Sequence, residues 1–516
     1  MGAEQSTEAP TTATSGGRVS APRPRAQCAA DATSLSWKSS EPTTSSPSPR
    51  VGAGGALGDS LIVVGGHGAG GEALADVWIH HITSGAWKQP EPTGRAPRAR
   101  GGHTAVAVKN LGMVTFGGLS HDRGGYLSDV ALLSGPSADA LEWQPVCATG
   151  ELPVGRDKHS AVAANGRMLI FGGFGIKPPE EEDDDDEEEG DGEEKDGDDG
   201  EEGGEGKGPS VDLGWFDDVY SLDLNTMYWS QVIIHCSKEE PAGAGEKASS
   251  SSSAAAAAEP PPAKNDVWAK LAKKAAAPVM PSAPDARAAH ACCVVVTAAA
   301  SSPATTTTTN AKTMMLFGGR AATGRLNDTW LLEGALPSSG TGGGGAGATA
   351  SWRRPAIAGQ PPPARSFHSC VAIEGDGGDE ERPTRFAAIY GGVDLGNRHL
   401  DDLHLLHMHA SEWAWVQVKQ SSVDSMMPSP RASPLVACVP NTSELIVFGG
   451  SSGWSEHGDT HFHGDTYTLD LSGLLERIEE AVDAPADASP EAEEEEAEEE
   501  EAPLSKKAKL IETASS

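Results

Sequence analysis

The sequence predicts an all-β fold, a six-bladed β-propeller closed by an N-terminal strand. Three observations carry that expectation. A short apolar run ending in Gly-Gly occurs six times. Each run follows Pro-x-x-Arg-x-x-His or a variant of it, and precedes an Asp that opens an alternating strand. The intervals between successive Gly pairs are 52, 55, 146, 73 and 58 residues. They return to one period once low-complexity insertions are set aside, which is the mark of a repeat architecture.

The apolar runs end at Gly65-Gly66, Gly117-Gly118, Gly172-Gly173, Gly318-Gly319, Gly391-Gly392 and Gly449-Gly450. Each reads as a fully buried strand. The Gly pair then ends it in a conformation that a β-carbon would hinder. Upstream stand Arg50, Arg100, Arg156, Arg287, Arg365 and Arg431. The motif is complete at His103, His159, His290 and His368, and Ala53 and Pro434 replace the His in the first and last repeats. Downstream stand Asp76, Asp129, Asp218, Asp328, Asp402 and Asp465, followed by Trp87, Trp143, Trp229, Trp352 and Trp413. The sixth repeat has no Trp after its Asp, and Trp37 stands alone ahead of the first repeat. Each repeat is thus a four-stranded antiparallel unit, with strands A to D from the axis outward. Such a unit cannot bury both faces alone, and radial stacking solves this with little exposed edge. Residues 33–40, around Trp37, are expected to complete blade six as its outermost strand.

The chain of 516 residues carries 39 Lys+Arg against 75 Asp+Glu, a net −36. The charge is concentrated: 19 acidic residues lie between Glu180 and Glu205, and 14 between Glu476 and Glu501. Setting both runs aside leaves 42 acidic against 37 basic residues. Like-charge blocks repel themselves and are expected to be disordered. The balance disfavours direct nucleic-acid binding, which needs clustered Lys/Arg. No apolar stretch approaches the roughly 20 residues of a spanning helix, and no secretory leader pattern is present. Seven Cys without metal-ligand spacing point to a reducing compartment. A cytoplasmic or nuclear protein, not a secreted one, is expected.

The expected organisation is a disordered segment 1–32, a propeller over 33–473, and an acidic tail with a short basic terminus over 474–516. Five insertions interrupt the propeller at about 177–213, 236–283, 298–312, 334–350 and 374–384. The first is acidic and the second Ser/Ala-rich. In an up-and-down sheet the B–C and D–A loops leave one end of a blade. Both long insertions therefore leave the same end, and the other three leave the opposite one.

The coincident Gly-Gly, Asp and Trp patterns resemble the kelch repeat family, over roughly residues 33–473. The complete Pro-x-x-Arg-x-x-His versions are similar to those of Rab-effector kelch proteins and host cell factor. The resemblance implies a scaffold for protein partners that engages them at the B–C and D–A end. Fold alone does not settle function. An adaptor presenting substrates to a cullin-type ubiquitin ligase is the runner-up, although no BTB or F-box pattern accompanies the repeats. An enzyme reading comes last. Glu72, Asp76 and His80 match the iron-site spacing of kelch-type specifier proteins, but the repeat already fixes Asp76. No catalytic residue, cofactor or resident metal is expected.

Partner-binding candidates are Arg123, Arg320, Arg325, Arg398, Trp454 and His457, which lie on B–C loops and do not repeat. Arg suits bidentate carboxylate capture, so the rim is read as holding an acidic or C-terminal peptide segment. The six motif Arg residues either join that rim or brace loops against neighbouring blades. A residue repeated six times favours the bracing role. The acidic insertion has three readings: a solvated tract, a site for basic partners, or a competitor for the Arg rim. Residues 265–274 read as a short helix with Val267, Trp268 and Leu271 on one face. A second helix is expected after Ser472, with Leu474, Leu475, Ile478 and Val482. Gly2 matches a myristoylation pattern, and Lys506, Lys507 and Lys509 resemble a minimal nuclear-import signal.

Overall fold

The computed structural model describes residues 24–31, 35–40, 45–122, 125–137, 140–178, 212–235, 281–298, 310–336, 349–373, 382–409, 412–420, 427–453 and 460–484. Within them the repeats form six four-stranded antiparallel units, here blades one to six in chain order. In blade three, for example, A is Ser160–Ala164, B is Arg167–Phe171, C is Val219–Asp223 and D is Tyr228–Gln231. The A strands touch in sequence around a ring, and the A strand of blade six meets that of blade one.

The core is interblade rather than central. One apolar layer fills each junction, including Leu61 and Val63 of blade one against Ile446 and Phe448 of blade six. The aromatic residue before the Gly pair reaches the Trp of the next blade. Phe116 meets Trp229, Phe171 meets Trp352, and Phe448 meets Trp87, with ring centroids 4.8–5.2 Å apart. Phe317 meets Trp415 at 5.4 Å. This corrects the expected repeat residue of blade five from Trp413 to Trp415. Trp415 pairs with Leu406, four residues after Asp402, just as Trp229 pairs with Leu222, four after Asp218. Trp413 and Trp415 point to one face, and the longer C–D turn places the second at core depth.

Trp37 takes the same place in blade six. It lies 5.7 Å from Tyr390 of blade five and 6.3 Å from Tyr467. The strand after it, Lys38–Ser40, pairs antiparallel with Thr466–Asp470 and closes the sheet of blade six. N-terminal and C-terminal parts of the chain thus share one sheet, and the ring is held shut without a covalent bond.

Two expected boundaries shift. Arg25–Asp31 is a helix, α1, so ordered structure begins before residue 33. Ser472–Asp483 is a helix, α2, so it runs past the expected start of the tail. At seven residues α1 is too short to stand alone. Its buried Ala26 and Ala30, one turn apart, pack with Leu474, Leu475 and Ile478 of α2. Gln27 also exchanges two hydrogen bonds with the backbone of Gln417 on the D strand of blade five. The insertions are narrower than expected because flanking hairpins extend into them, as in Ala291–Ala298 and Asn310–Ala321. What lies between the hairpins, the tail beyond Ala484, Gly2 and Lys506–Lys509 are outside the described residues.

A guanidinium holds each blade to its own C strand. In blade four Arg287 Nη1 and Nη2 donate to Asp328 Oδ1 and Oδ2 at 2.7 and 2.9 Å. Nη1 also donates to the Gly318 carbonyl at 3.0 Å, and Nε to the Asp285 carbonyl at 2.9 Å. The same four acceptor positions recur for Arg50, Arg100, Arg156, Arg365 and Arg431. The backbone of the same Arg clamps the preceding blade. Gly173 N–H of blade three donates to the Arg287 carbonyl at 2.8 Å, and Arg287 N–H donates to the Phe216 carbonyl at 3.0 Å. Gly172 and Gly173 have φ of +64° and +104°, and a β-carbon on Gly172 would sit 2.6 Å from that Arg287 carbonyl. Only glycine lets the blades approach so closely.

Two stability tests follow from this architecture. Truncating Trp37 to Ala should cost about 3–5 kcal/mol in denaturant unfolding, the usual range for a buried aromatic. Replacing Asp328 with Ala should cost a similar ~3–5 kcal/mol, because it leaves a buried guanidinium unpaired. A loss under ~1 kcal/mol for the second would mean the clamp contributes little.

Candidate functional site

The Arg, Gly-Gly and Asp of every repeat converge on one end of the ring, where the B–C and D–A loops emerge. In blades two to six the second residue after the motif Arg forms a collar there. Gly102, Lys158, Ala289, Phe367 and Ser433 all adopt left-handed φ, between 49° and 65°. Their backbones are linked in a chain. Lys158 N–H donates to the Gly102 carbonyl, Ala289 to Lys158, Phe367 to Ala289 and Ser433 to Phe367, at 2.6–2.8 Å. Four of these five residues carry a β-carbon in a region that disfavours it, at a cost of order 1 kcal/mol each. The blade-to-blade hydrogen bonds hold them there. This collar was not legible from the sequence, because Lys, Ala, Phe and Ser do not announce a left-handed backbone.

The motif His residues stand beneath the collar and are buried. His159 Nε2 is 2.8 Å from Thr104 Oγ1 of the preceding blade, and His368 Nε2 is 3.1 Å from the Phe317 carbonyl. Burial first, then the adjacent Arg, lowers His103 and His368 to about 3. His159 and His290 are held well below the ordinary value for the same two reasons. All four are neutral struts.

The motif Arg residues are equally committed. Each is at most 3% exposed at the side chain and spends its guanidinium on its own blade. Their expected share in a carboxylate-binding rim is therefore withdrawn, and the bracing is within the blade as well as between blades. Burial alone would raise the Asp76, Asp328, Asp402 and Asp465 carboxyls, but the Arg hydrogen bonds overcome it and hold them low. Asp76 also accepts from Trp78 Nε1, and His80 stacks near Trp87. Among the described residues no three metal-ligating side chains come together, Glu72, Asp76 and His80 included.

Of the non-repeated candidates, Arg320 and Arg325 are brought together. Blade four ends its B strand with a tight hairpin from Ala321 to Gly324, and Arg320 and Arg325 are direct cross-strand partners. Arg320 is exposed and Arg325 half-buried. Arg325 Nε donates to Ser366 Oγ of blade five at 2.8 Å. Burial first, then Arg320, lowers the Arg325 guanidinium, while Asp394 pulls the other way. Neither Arg forms an ion pair among the described residues. Arg398 is already engaged, with Nε and Nη2 at 2.9 and 2.7 Å from Asp394 Oδ2. Arg123, Trp454 and His457 lie outside the described residues. On the opposite side of the collar Lys158 Nζ meets the buried Asp157 at 2.5 Å. Ser366 and Phe367, which flank the paired Arg residues, were missed at the sequence level. They occupy the variable positions of the motif, and that was the available signal.

A family model for the KLHDC2/KLHL20/DRC7 Kelch-repeats domain matches residues 13–175 and 263–475. This chain belongs to the kelch-repeat family. Among similar proteins is human Kelch domain-containing protein 2, 27% identical over 33% of this chain and 38% of that protein. Kelch repeat-containing protein 2 of Saccharomyces cerevisiae is 30% identical over 28% of this chain and 17% of its own length. Host cell factor of Drosophila melanogaster is 31% identical over 18% of this chain and 6% of its own. The chain thus spans well under half the length of these curated relatives. The unmatched interval of this kelch chain, 176–262, holds the acidic insertion and most of the Ser/Ala-rich one.

The neutral His struts set a pH dependence. Their folded-state pKa lies below the roughly 6.5 of the unfolded chain, so between pH 6.5 and about 3 the unfolded state binds more protons. Their contribution is complete above pH 6.5 and is lost as pH falls. Each His adds about 1.4 kcal/mol per pH unit to that loss. Asp76, Asp328, Asp402 and Asp465, held below the ordinary carboxylate value, add little to the slope over pH 5–7. Urea unfolding at pH 5, 6 and 7 should show the decline, and His368→Gln should reduce its slope by about one proton's worth.

Proposed function

We propose that this kelch propeller is a non-catalytic protein-interaction module that captures a carboxylate-bearing segment of a partner between blades four and five. The observation that carries the reading is the Arg320–Arg325 pair. Two like charges directly opposite on a hairpin repel, and neither forms an ion pair among the described residues, although Asp394 offsets part of the repulsion at Arg325. The six motif Arg residues show what satisfied guanidinium groups look like in this fold. Arg320 and Arg325 are the departure from that pattern. A carboxylate placed between them would relieve the repulsion and accept charge-assisted hydrogen bonds from both. The buried Ser366 hydroxyl holds the Arg325 guanidinium in place. Acidic side chains and a chain-terminal carboxylate share this chemistry.

The acidic insertion leaves the same end from blade three, between Ile176 and Leu213. Its charge supports a role in binding basic partners or in tuning access to the Arg pair. The two contributions are separable, because one depends on 179–211 and the other on Arg320 and Arg325.

The test is an affinity-purified partner list at low and physiological salt, for the wild type, for Arg320→Glu/Arg325→Glu, and for a chain lacking 179–211. The double substitution should remove one set of partners and weaken binding of carboxylate-bearing peptides by tenfold or more, a loss of about 1.4 kcal/mol. Amidating a C-terminal carboxylate should mimic it only if the terminus is the ligand. Loss of basic partners should follow the deletion alone. Partner lists indifferent to the double substitution would refute the Arg-pair site.

A further inference from the structure

The outer wall of blade three carries a second surface, along the edge of its D strand. Three of the six most exposed large apolar side chains among the described residues cluster there: Leu152, Tyr228 and Ile233, exposed by 58, 46 and 55%. An open groove of about 650 Å³ runs along the D strand Tyr228–Gln231 and the crossing strand Ile233–Ile234. Glu151 and Asp217 line it. The Gln231 N–H donates to Glu151 Oε2 at 2.7 Å, so a carboxylate takes the place of a neighbouring strand on this edge. Asp217 forms no ion pair among the described residues. The groove thus sets apolar side chains, Tyr228, Val232, Ile233 and Ile234 among them, beside the carboxylates of Glu151 and Asp217. A surface of that kind on a single chain usually has an occupant.

We propose that the occupant is the chain's own segment 264–274, Lys264-Asn-Asp-Val-Trp-Ala-Lys-Leu-Ala-Lys-Lys. These residues lie outside the described set, and three arguments point to them. The first is charge. The segment carries Lys264, Lys270, Lys273 and Lys274 against the single acid Asp266, within a chain of net −36. The second is apolar pattern. Val267, Trp268 and Leu271 stand at i, i+1 and i+4, a spacing that gives one apolar face in helical form to set against Leu152, Tyr228 and Ile233. The third is connection. The chain leaves the groove through Ile234 and His235. Residues 236–263 can span up to ~95 Å, so the tether permits return to the surface just left. Docking is then intramolecular, and a weak contact suffices to fill the groove. The inference does not rest on the Arg320–Arg325 site, which lies on another blade.

Hydrogen exchange on the full-length protein tests it. In a chain lacking 262–276, edge amides of Ser230–Ile234 should exchange about tenfold faster than in the wild type. Amides of the C strand, such as Leu222, should be unchanged. Trp268→Ala should reproduce most of the effect. A synthetic 262–276 peptide added to the shortened chain should restore protection, less so at high salt. It should fail on shortened chains carrying Ile233→Asp or Glu151→Lys, whose exposed positions leave folding intact. Three results would overturn the proposal. Edge exchange could be identical with and without 262–276. The peptide could bind equally to the groove variants, or lose binding only when 179–211 is removed, which would make the acidic run its target. The shortened chain could protect the same amides by concentration-dependent self-association, which would make a second copy the occupant.

Discussion

The buried Arg–Asp pair is the interaction on which the rest of the structure depends. A guanidinium taken out of water is costly unless every donor finds an acceptor. Each motif Arg nearly meets that condition, with four of its five N–H donors satisfied by two carboxylate oxygens, the carbonyl of the first Gly and a carbonyl two residues back. One side chain thereby fixes the start of strand A, the end of strand B and the start of strand C. Its backbone meanwhile bonds the preceding blade. Blade geometry and blade docking are set at the same residue, so an error in one cannot be absorbed by the other. This coupling explains why the clamp is repeated with the same partners in all six units, although the loops around it differ in length by tens of residues.

The collar at the loop end is a consequence of the clamp. With the Arg backbone tied to the previous blade and its side chain tied to its own, the two residues that follow must turn sharply into strand A. The left-handed residues Lys158, Ala289, Phe367 and Ser433 absorb that turn. Their side chains are free to vary because the backbone does the structural work. The positions nearest the axis are therefore the ones the repeat leaves open. Lys158, Ser366 and Phe367 sit there, and Ser366 accepts from Arg325.

The same logic separates what the sequence made legible from what it hid. Gly pairs, Arg, Asp and most Trp positions were readable because each acts through a local requirement that recurs with the period. The closing role of Trp37 was readable by subtraction, since one blade lacked a Trp and one Trp lacked a blade. Trp413 was chosen over Trp415 because spacing from Asp402 measures chain length, whereas core depth depends on the turn between strands. Helix α1 was missed because its order comes from contacts with α2 and blade five that are hundreds of residues away. The ion pair of Arg398 was hidden for a related reason: only the folded hairpin places Asp394 against it.

Charge shows how far whole-chain composition can mislead about a site. A net −36 suggests a protein that repels acidic ligands. At the hairpins of blades four and five the local balance is opposite. Asp394 is engaged by Arg398, and half-buried His399 is held below its ordinary pKa by desolvation first. Arg320 and Arg325 form no ion pair among the described residues, and Asp394 offsets only part of their charge. Screening over about 8–10 Å at physiological salt means that a ligand at this hairpin would feel those two groups more than any charge farther away. On the proposed reading, a local cation pair in an acidic chain would act as a selective rather than a general attractor, because only a carboxylate that reaches the hairpin would gain from it.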